Sequence, residues 1–157
     1  MGMSLTPIAG KPLSIELPIQ KLHEDAVAPS YAHEGDAGLD LCSVEAATLA
    51  PFERILVSTG IALAIPQGYA GYVIPRSGLA IKKGLSVVNA PGLIDSGYRG
   101  EIKVIVINLD PHAPIEIKSG DRIAQLVIAP VAQAVRAEVS ELDDTRRGIG
   151  GFGSSGA

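Results

Sequence analysis

The stretch Glu101–Leu109 reads E-I-K-V-I-V-I-N-L, and it decides the fold class. It is dominated by isoleucine and valine, whose β-branched side chains fit a pleated surface. It contains neither glycine nor proline. A short apolar run of this kind, followed by the turn Pro111–Pro114, is typical of a strand within a sheet.

Similar but shorter runs lie on both sides of this strand. The strands predicted from them are Leu13–Leu17, Leu39–Ser43, Ile55–Val57, Ile61–Ile65, Gly71–Ile74, Leu85–Val88, Ile115–Lys118 and Ile123–Ile128. Ser77–Lys82, which follows Pro75, is the best place for a short helix. Short strands at near-regular spacing, separated by turns, predict an all-β, jelly-roll-like barrel or sandwich with one short helix.

The composition agrees with this fold class. The chain of 157 residues contains 18 glycines and 11 prolines, which argues against a helical bundle or coiled coil. Its length fits one domain. Hydrophobic residues make up 46% and aromatic residues only 4%. The 17 isoleucines and 12 valines therefore predict an aliphatic core.

Charge and cysteine content exclude several classes of protein. A net charge of −4 disfavours a nucleic-acid-binding protein, although a local cluster of donors could still bind a small anion. A single cysteine, Cys42, cannot form an internal disulfide or a cysteine-rich zinc site. With no apolar signal segment in the first ten residues, we expect a reducing, cytoplasmic compartment. The uncharged stretch Ile55–Pro75 is broken by glycine and proline, which indicates consecutive strands rather than a membrane span.

Two segments near the middle of the chain carry candidate site residues. In Pro75–Ala80 a strand meets a predicted helix start, where free N–H groups, Arg76 and the Ser77 hydroxyl could bind an anion. Ser77 could equally be an ordinary N-cap. Asn89–Gly100 is an unusually long connection that carries Asp95 and Tyr98. Its central residues also have good turn chemistry, so a purely structural role stays open.

Three further segments need an interpretation. Asp40 is flanked by leucines in Ala37–Leu41, and strand alternation predicts that its side chain points to solvent. Gln125 is a polar residue within an apolar run. The tail Arg146–Ala157 is glycine-rich, and such ends are usually frayed. Its arginines, bare backbone and Phe152 could instead contact phosphates and stack on a base. We expect a core domain over residues 1–143 and a flexible C-terminal arm over residues 144–157.

Five of these segments, taken in order, resemble the trimeric dUTP pyrophosphatases (dUTPases). They are A-G-L-D-L at 37–41, R-S-G-L-A at 76–80, N-A-P-G-L-I-D-S-G-Y-R-G at 89–100, G-D-R-I-A-Q-L at 120–126 and R-G-I-G-G-F-G-S-S-G at 147–156. The resemblance implies a jelly-roll homotrimer with shared active sites. It also implies Mg²⁺-dependent hydrolysis of dUTP to dUMP and pyrophosphate, which keeps dUTP low and supplies dUMP for thymidylate synthesis.

The resemblance also implies a role for each site residue. Asp95 would be the general base, Tyr98 would lie under the deoxyribose, and Asp40 would contact Mg²⁺ through water. The residues that would read the uracil, in part through their main chain, are Asn89, Leu93, Ile94 and Lys103. The residues that would hold the phosphates are Arg76, Ser77, Gly78 and Gln125. The residues that would close from the arm are Arg147, Gly153 and Ser154, with Phe152 stacked on the uracil.

Two other functions stay open on the sequence alone. A dCTP deaminase on the related fold also carries an Ile-Asp-x-Gly-aromatic segment, although Tyr98–Gly100 and the tail argue against it. A non-catalytic trimeric β protein would fit the composition. One departure from the dUTPase pattern is Gly97, which stands where many relatives carry a larger residue.

Overall fold

The computed structural model describes residues 14–151, which form ten strands and one helix. The strands are β1 (Ile19–Lys21), β2 (Leu39–Cys42), β3 (Ala47–Leu49), β4 (Arg54–Leu63), β5 (Tyr69–Ile74), β6 (Leu85–Val87), β7 (Gly92–Ile94), β8 (Glu101–Asn108), β9 (Ile115–Ile117) and β10 (Arg122–Pro130). The helix α1 (Ser77–Lys83) lies between β5 and β6.

The strands form two four-stranded sheets and one two-stranded ribbon. The first sheet has the order β1-β4-β8-β6, the second has the order β2-β10-β5-β7, and β3 pairs with β9. The pairs between these strands are antiparallel. This arrangement confirms the predicted all-β, jelly-roll-like class with one short helix.

Strand β8 occupies the position that its sequence predicts. It lies between β4 and β6 in the first sheet. Along it Ile102, Val104 and Val106 are buried, whereas Lys103 is exposed. This alternation directs one face of the strand into the core and leaves the other face open to solvent or a ligand.

The core is aliphatic and draws side chains from both large sheets. Leu41, Leu126, Val106 and Leu49 have essentially no exposed surface. They belong to one continuous cluster of buried residues that also includes side chains from the ribbon strand β9. The predicted aliphatic core is confirmed.

Strand β4 differs from the prediction of two strands separated by a turn. It is a single strand in which the pairing with β8 shifts register between Ser58 and Ala62. The Thr59 side chain is buried and its hydroxyl donates to the carbonyl of Ile102, while Gly60 has a φ of +67°. The predicted turn was wrong because the glycine serves a β-bulge inside a continuous strand.

The first predicted strand and the start of helix α1 both differ from their predictions. Residues 14–17 lie outside the strands that the structure describes, so that part of the predicted strand Leu13–Leu17 was wrong. Helix α1 begins after Arg76, and no side chain caps it, so the N-cap interpretation of Ser77 was also wrong. The helix ends at Gly84, whose φ is +70° and where an added Cβ would lie 2.8 Å from the Asp110 nitrogen. In residues 14–151 no helix is long and apolar enough to cross a membrane.

Candidate active site

A cleft of about 470 Å³ is lined mainly by β7, β8 and the segment that connects them. The sequence-predicted residues that line it are Asn89, Leu93, Ile94, Asp95, Tyr98 and Lys103. Buried valine and isoleucine side chains of β5, β6 and β8 form much of its apolar lining. The structure therefore brings together the residues predicted to meet the base, the sugar and the attacked phosphate.

Asp95 stands at the end of β7, where the chain turns. Its main-chain carbonyl accepts the N–H of Tyr98 at 3.1 Å, which closes the turn. Asp95 is exposed, and both residues line the cleft. The same four residues, 95–98, therefore form a turn and place the Asp95 carboxylate in the cleft.

The position of Tyr98 depends on its immediate neighbours. Its hydroxyl donates to the Glu101 carbonyl at 3.0 Å. A Cβ added at Gly100 would overlap the Tyr98 ring and hydroxyl, so the ring can lie there only over a glycine. The Arg99 guanidinium donates to the carbonyls of Ser96 and Tyr98 at 2.7 and 2.8 Å, which stabilises the turn.

Asn89 precedes β7 in the chain, whereas Asp95 follows it. A Cβ added at Gly92 would lie 3.3 Å from the Asn89 side-chain nitrogen and 3.4 Å from Cβ of Val73. The small residue at position 92 therefore lets the Asn89 carboxamide pack closely on the start of β7. This fixes an exposed donor and acceptor at the edge of the cleft.

Asp40 is buried in β2, which overturns the expectation that it points to solvent. Its side chain is 8% exposed and faces two guanidinium groups. Arg122 Nη1 donates to Oδ2 at 3.1 Å, and Arg76 Nε lies 3.1 Å from Oδ1. The second contact has ion-pair distance without hydrogen-bond geometry, so Oδ1 accepts no hydrogen bond. Simple alternation failed because a charge can be buried where opposite charges accompany it.

Gln125 and the start of α1 lie near this ion cluster. Gln125 is half-buried in β10, opposite Asp40 on one side and Ile74 on the other. A Cβ added at Gly38 would lie 3.2 Å from Cβ of Gln125, so the backbone passes close to this side chain. The predicted residues Ser77 and Gly78 are exposed at the first two positions of α1.

The predicted site residues therefore fall into two separate groups within one chain. Arg76, Ser77, Gly78 and Gln125 do not line the cleft that holds Asp95. Arg76 instead lines a smaller cavity of about 200 Å³ together with Arg122. Among residues 14–151 of a single chain, the groups predicted to hold the phosphates and the base do not share one cavity.

The arm is described only up to residue 151. Arg147 is exposed in a turn, where its Nε donates to the Gly150 carbonyl at 2.9 Å. The other predicted arm residues, Phe152, Gly153 and Ser154, lie outside the described residues.

Comparison with known proteins matches these features to one family. The dUTPase family model matches residues 24–156. The chain belongs to the dUTPase family. This membership confirms the family resemblance and the predicted enzyme class.

The curated relatives carry one name. The deoxyuridine 5'-triphosphate nucleotidohydrolase of Thermobifida fusca is 55% identical over 152 residues, which cover 97% of this chain and 83% of the relative. That of Leifsonia xyli is 59% identical over 128 residues, which cover 82% of this chain and 84% of the relative.

Solved structures extend the likeness to the fold. The dUTPase of Staphylococcus bacteriophage 80alpha with dUpNHpp matches with a TM-score of 0.85 and 31% identity, over 92% of this chain and all of that one. A variant dUTPase of phage phi11, described with a structural Mg(II) ion, matches with a TM-score of 0.77 and 29% identity, over 83% of this chain and all of that one.

The departure of this dUTPase at Gly97 has little structural consequence. A Cβ added there would meet nothing within 4 Å, and Gly97 is not among the glycines with positive φ. A larger residue would therefore fit at this position. The glycine is therefore not required by the space around it.

Sequence reasoning missed two charged residues next to the site. Arg122, the first residue of β10, pairs with the buried Asp40. Glu101 lines the cleft and contacts both Gly60 and Lys103. Both open a strand beside a turn, where a charged residue is usually solvated, so the sequence pattern carried no signal of either contact.

The free cysteine of this dUTPase lies beside the ion cluster rather than in the cleft. Burial raises the pKa of the Cys42 thiol, and the neighbouring Asp40 carboxylate raises it further. A protonated, buried thiol is a poor nucleophile. Cys42 therefore behaves as a packed core residue.

Proposed function

We propose that the protein hydrolyses dUTP to dUMP and pyrophosphate by attack of water on the α-phosphorus. One observation carries this proposal: the apolar cleft holds Asp95 and Tyr98 together with Asn89 and the start of β8. Asp95 would orient the water and take its proton, because it is an exposed carboxylate that lines the cleft. The relatives' shared name, deoxyuridine 5'-triphosphate nucleotidohydrolase, supports the same substrate.

Uracil recognition would depend on main-chain groups of β7 as well as on Asn89. Strand β7 is the last strand of its sheet in the described structure and pairs only with β5. The N–H and C=O groups on its other edge are therefore free to bond a pyrimidine, much as a partner base does. A cytosine would leave such groups unpaired, at a cost of about 1–3 kcal/mol for each buried group.

Tyr98 would select the deoxyribose. Its ring is held by the hydroxyl contact to the Glu101 carbonyl and by its position over Gly100. With the ring held in this position by its hydroxyl, a sugar packed on it would have no room for a 2'-hydroxyl. This is discrimination by shape.

The phosphates would be bound by residues of a neighbouring subunit in a homotrimer. The separation of Arg76, Ser77, Gly78 and Gln125 from the cleft of their own chain supports a shared site. Exposed apolar side chains at the mouth of the cleft support it further, since Leu56 and Leu93 are 57% and 62% exposed. A second subunit packed there would cover them.

The residues present fit a Mg²⁺ ion that is held mainly by the substrate. In residues 14–151 no group of three or more His, Cys, Asp or Glu side chains could hold a metal ion. Asp40 lies between Arg76 and Arg122, and its buried Oδ1 accepts no hydrogen bond, so this oxygen would be the one to accept a hydrogen bond from a water on the ion. Bound to the triphosphate, Mg²⁺ would neutralise charge that develops on the phosphate oxygens.

The C-terminal arm would complete the site as a lid. We propose that residues 1–143 form the folded core and that residues 144–157 close over the nucleotide. Arg147 would add positive charge near the phosphates, Gly153 and Ser154 would donate hydrogen bonds to them, and Phe152 would stack on the uracil. Closure would exclude bulk water from the reacting phosphate.

In the cell this activity would keep dUTP low and supply dUMP for thymidylate synthesis. The test measures pyrophosphate release from dUTP in the presence of Mg²⁺, with dCTP as the control nucleotide. We expect pyrophosphate from dUTP and neither pyrophosphate nor ammonia from dCTP. Intact dUTP after incubation would refute the proposal, and ammonia from dCTP would show a deaminase instead.

A further inference from the structure

Glu101 lines the proposed substrate cleft, and the proposed mechanism gives its carboxylate no role. Its side chain is only 23% exposed. Oε1 accepts the main-chain N–H of Gly60 at 2.9 Å, and Oε2 lies 3.3 Å from Nζ of Lys103. Its carbonyl accepts the Tyr98 hydroxyl at 3.0 Å. One residue thus joins strand β4, strand β8 and the tyrosine of the cleft.

The contact to Gly60 is made at the bulge of β4. The register shift leaves this part of β4 without regular partners on β8. A Cβ added at Gly60 would lie 2.9 Å from side-chain atoms of both Ala26 and Val44, so the bulge is held tightly in the molecule. Glu101 is therefore attached to a rigid point, and its carboxylate satisfies an N–H that the sheet does not.

We propose that Glu101 is a positioning residue for nucleotide binding. By bonding the Gly60 N–H it fixes the first residue of β8, and through its carbonyl it fixes the hydroxyl of Tyr98. This inference rests on the proposed function, in which Tyr98 packs against the sugar. It assigns Glu101 to the affinity of the site rather than to the chemical step.

The two side-chain contacts of Glu101 are not equivalent. Lys103 is 41% exposed, and ion pairs at that exposure contribute little. The Gly60 N–H is partly buried, and a buried donor left without an acceptor is costly. The length of the side chain, rather than its charge, should therefore decide its effect.

Two substitutions separate length from charge. Glu101→Gln keeps an oxygen at the same reach, and Glu101→Asp keeps the charge but shortens the side chain. For Glu101→Asp we expect the KM for dUTP to rise about tenfold, with kcat within about threefold of wild type. For Glu101→Gln we expect the KM to stay within about threefold of wild type. Glu16→Gln and Glu16→Asp are matched controls, because Glu16 is exposed and lines neither the cleft nor the cavity of Arg76.

Three outcomes would overturn the inference: an unchanged KM in Glu101→Asp, a fall in its kcat alone, or an equal rise in KM for both variants. If Glu101→Asp does not fold, Tyr98→Phe removes the hydroxyl that the Glu101 carbonyl accepts and should also raise KM; an unchanged KM would then overturn it. Failure of wild-type protein to hydrolyse dUTP would refute the proposed function instead. The Kd for dUpNHpp, measured on the same variants, would then test Glu101 separately.

Discussion

Tyr98 and Gly100 show how the absence of one side chain shapes the site. The Tyr98 ring occupies the space that a Cβ at position 100 would need, and its hydroxyl reaches back to the Glu101 carbonyl. The sequence Tyr-x-Gly is therefore a packing requirement at this point of the molecule. Gly97, three residues earlier, has open space around it.

This contrast predicts different outcomes for two glycine substitutions. Gly100→Ala should displace the Tyr98 ring and lower kcat/KM for dUTP about 10–100-fold, because even a small displacement of a group that positions the substrate lowers the reaction rate strongly. Gly97→Ala should leave kcat/KM within about twofold. Steady-state kinetics on the two purified variants checks this, and equal effects would show that the overlap with Tyr98 is not what matters.

A second prediction for a single residue concerns Asp40. It is buried between Arg76 and Arg122, and its removal would leave both guanidinium groups without their counter-charge. Asp40→Asn should lower the free energy of unfolding by about 2–3 kcal/mol, less than for a fully buried pair because Arg122 is half-exposed. Urea unfolding measures this, with Asp25→Asn as the exposed control. If both variants unfold at the same urea concentration, the ion cluster does not stabilise the fold.

At the scale of elements, the strands that could be predicted are those with a strong local pattern. Strand β8 and most of β10 have long β-branched runs, and helix α1 follows a proline, so their positions were predictable. Strands β1, β3 and β7 were not, since none of them alternates large apolar and polar residues as the equally short β6 and β9 do. The bulge of β4 was read as a turn because glycine and serine mark both features.

The site residues divide in the same way. Asp95, Tyr98 and Asn89 could be predicted because they lie in one contiguous motif. The pairing of Asp40 with Arg122 could not, because residues 40 and 122 meet only when β2 pairs with β10. Local sequence carries no information about such a register.

Strand β10 gives a prediction for the core. It lies between β2 and β5, and Leu126 on it has no exposed surface. Leu126→Ala should lower the free energy of unfolding by about 2–5 kcal/mol, since it removes buried methyl groups and leaves a cavity. Leu109→Ala, at a residue that is 51% exposed, should change it by less than about 0.5 kcal/mol. Urea unfolding of both variants compares them; a Leu126→Ala protein as stable as wild type would contradict the assigned core.

At the scale of the whole molecule, the proposed shared site would make assembly of subunits a functional requirement. A net charge of −4 gives a trimer −12, from 3 × −4, although the proposed substrate is itself an anion. In the proposed site, binding would therefore be local, through Arg76, Arg147 and Mg²⁺. Screening over about 8 Å at physiological salt allows this.

Removal of the C-terminal arm tests whether it acts as a lid without contributing to the folded core. Truncation after Asp144 should leave the oligomer and its unfolding temperature unchanged, because residues 145–149 are exposed and add nothing to the core. It should lower turnover of dUTP at least about a hundredfold, because the lid would be lost. Light scattering gives the mass and pyrophosphate release gives the activity. Full turnover without the arm would refute its role as a lid.

The central claim is that Asp95 activates the attacking water for hydrolysis of dUTP. The most direct measurement compares pyrophosphate release from dUTP and Mg²⁺ by the wild-type protein and by Asp95→Asn, with the Kd for dUpNHpp measured on both. We expect release by the wild type, a rate at least about a hundredfold lower for the variant, and a Kd within about threefold. An Asp95→Asn protein that hydrolyses dUTP at the wild-type rate would contradict the account.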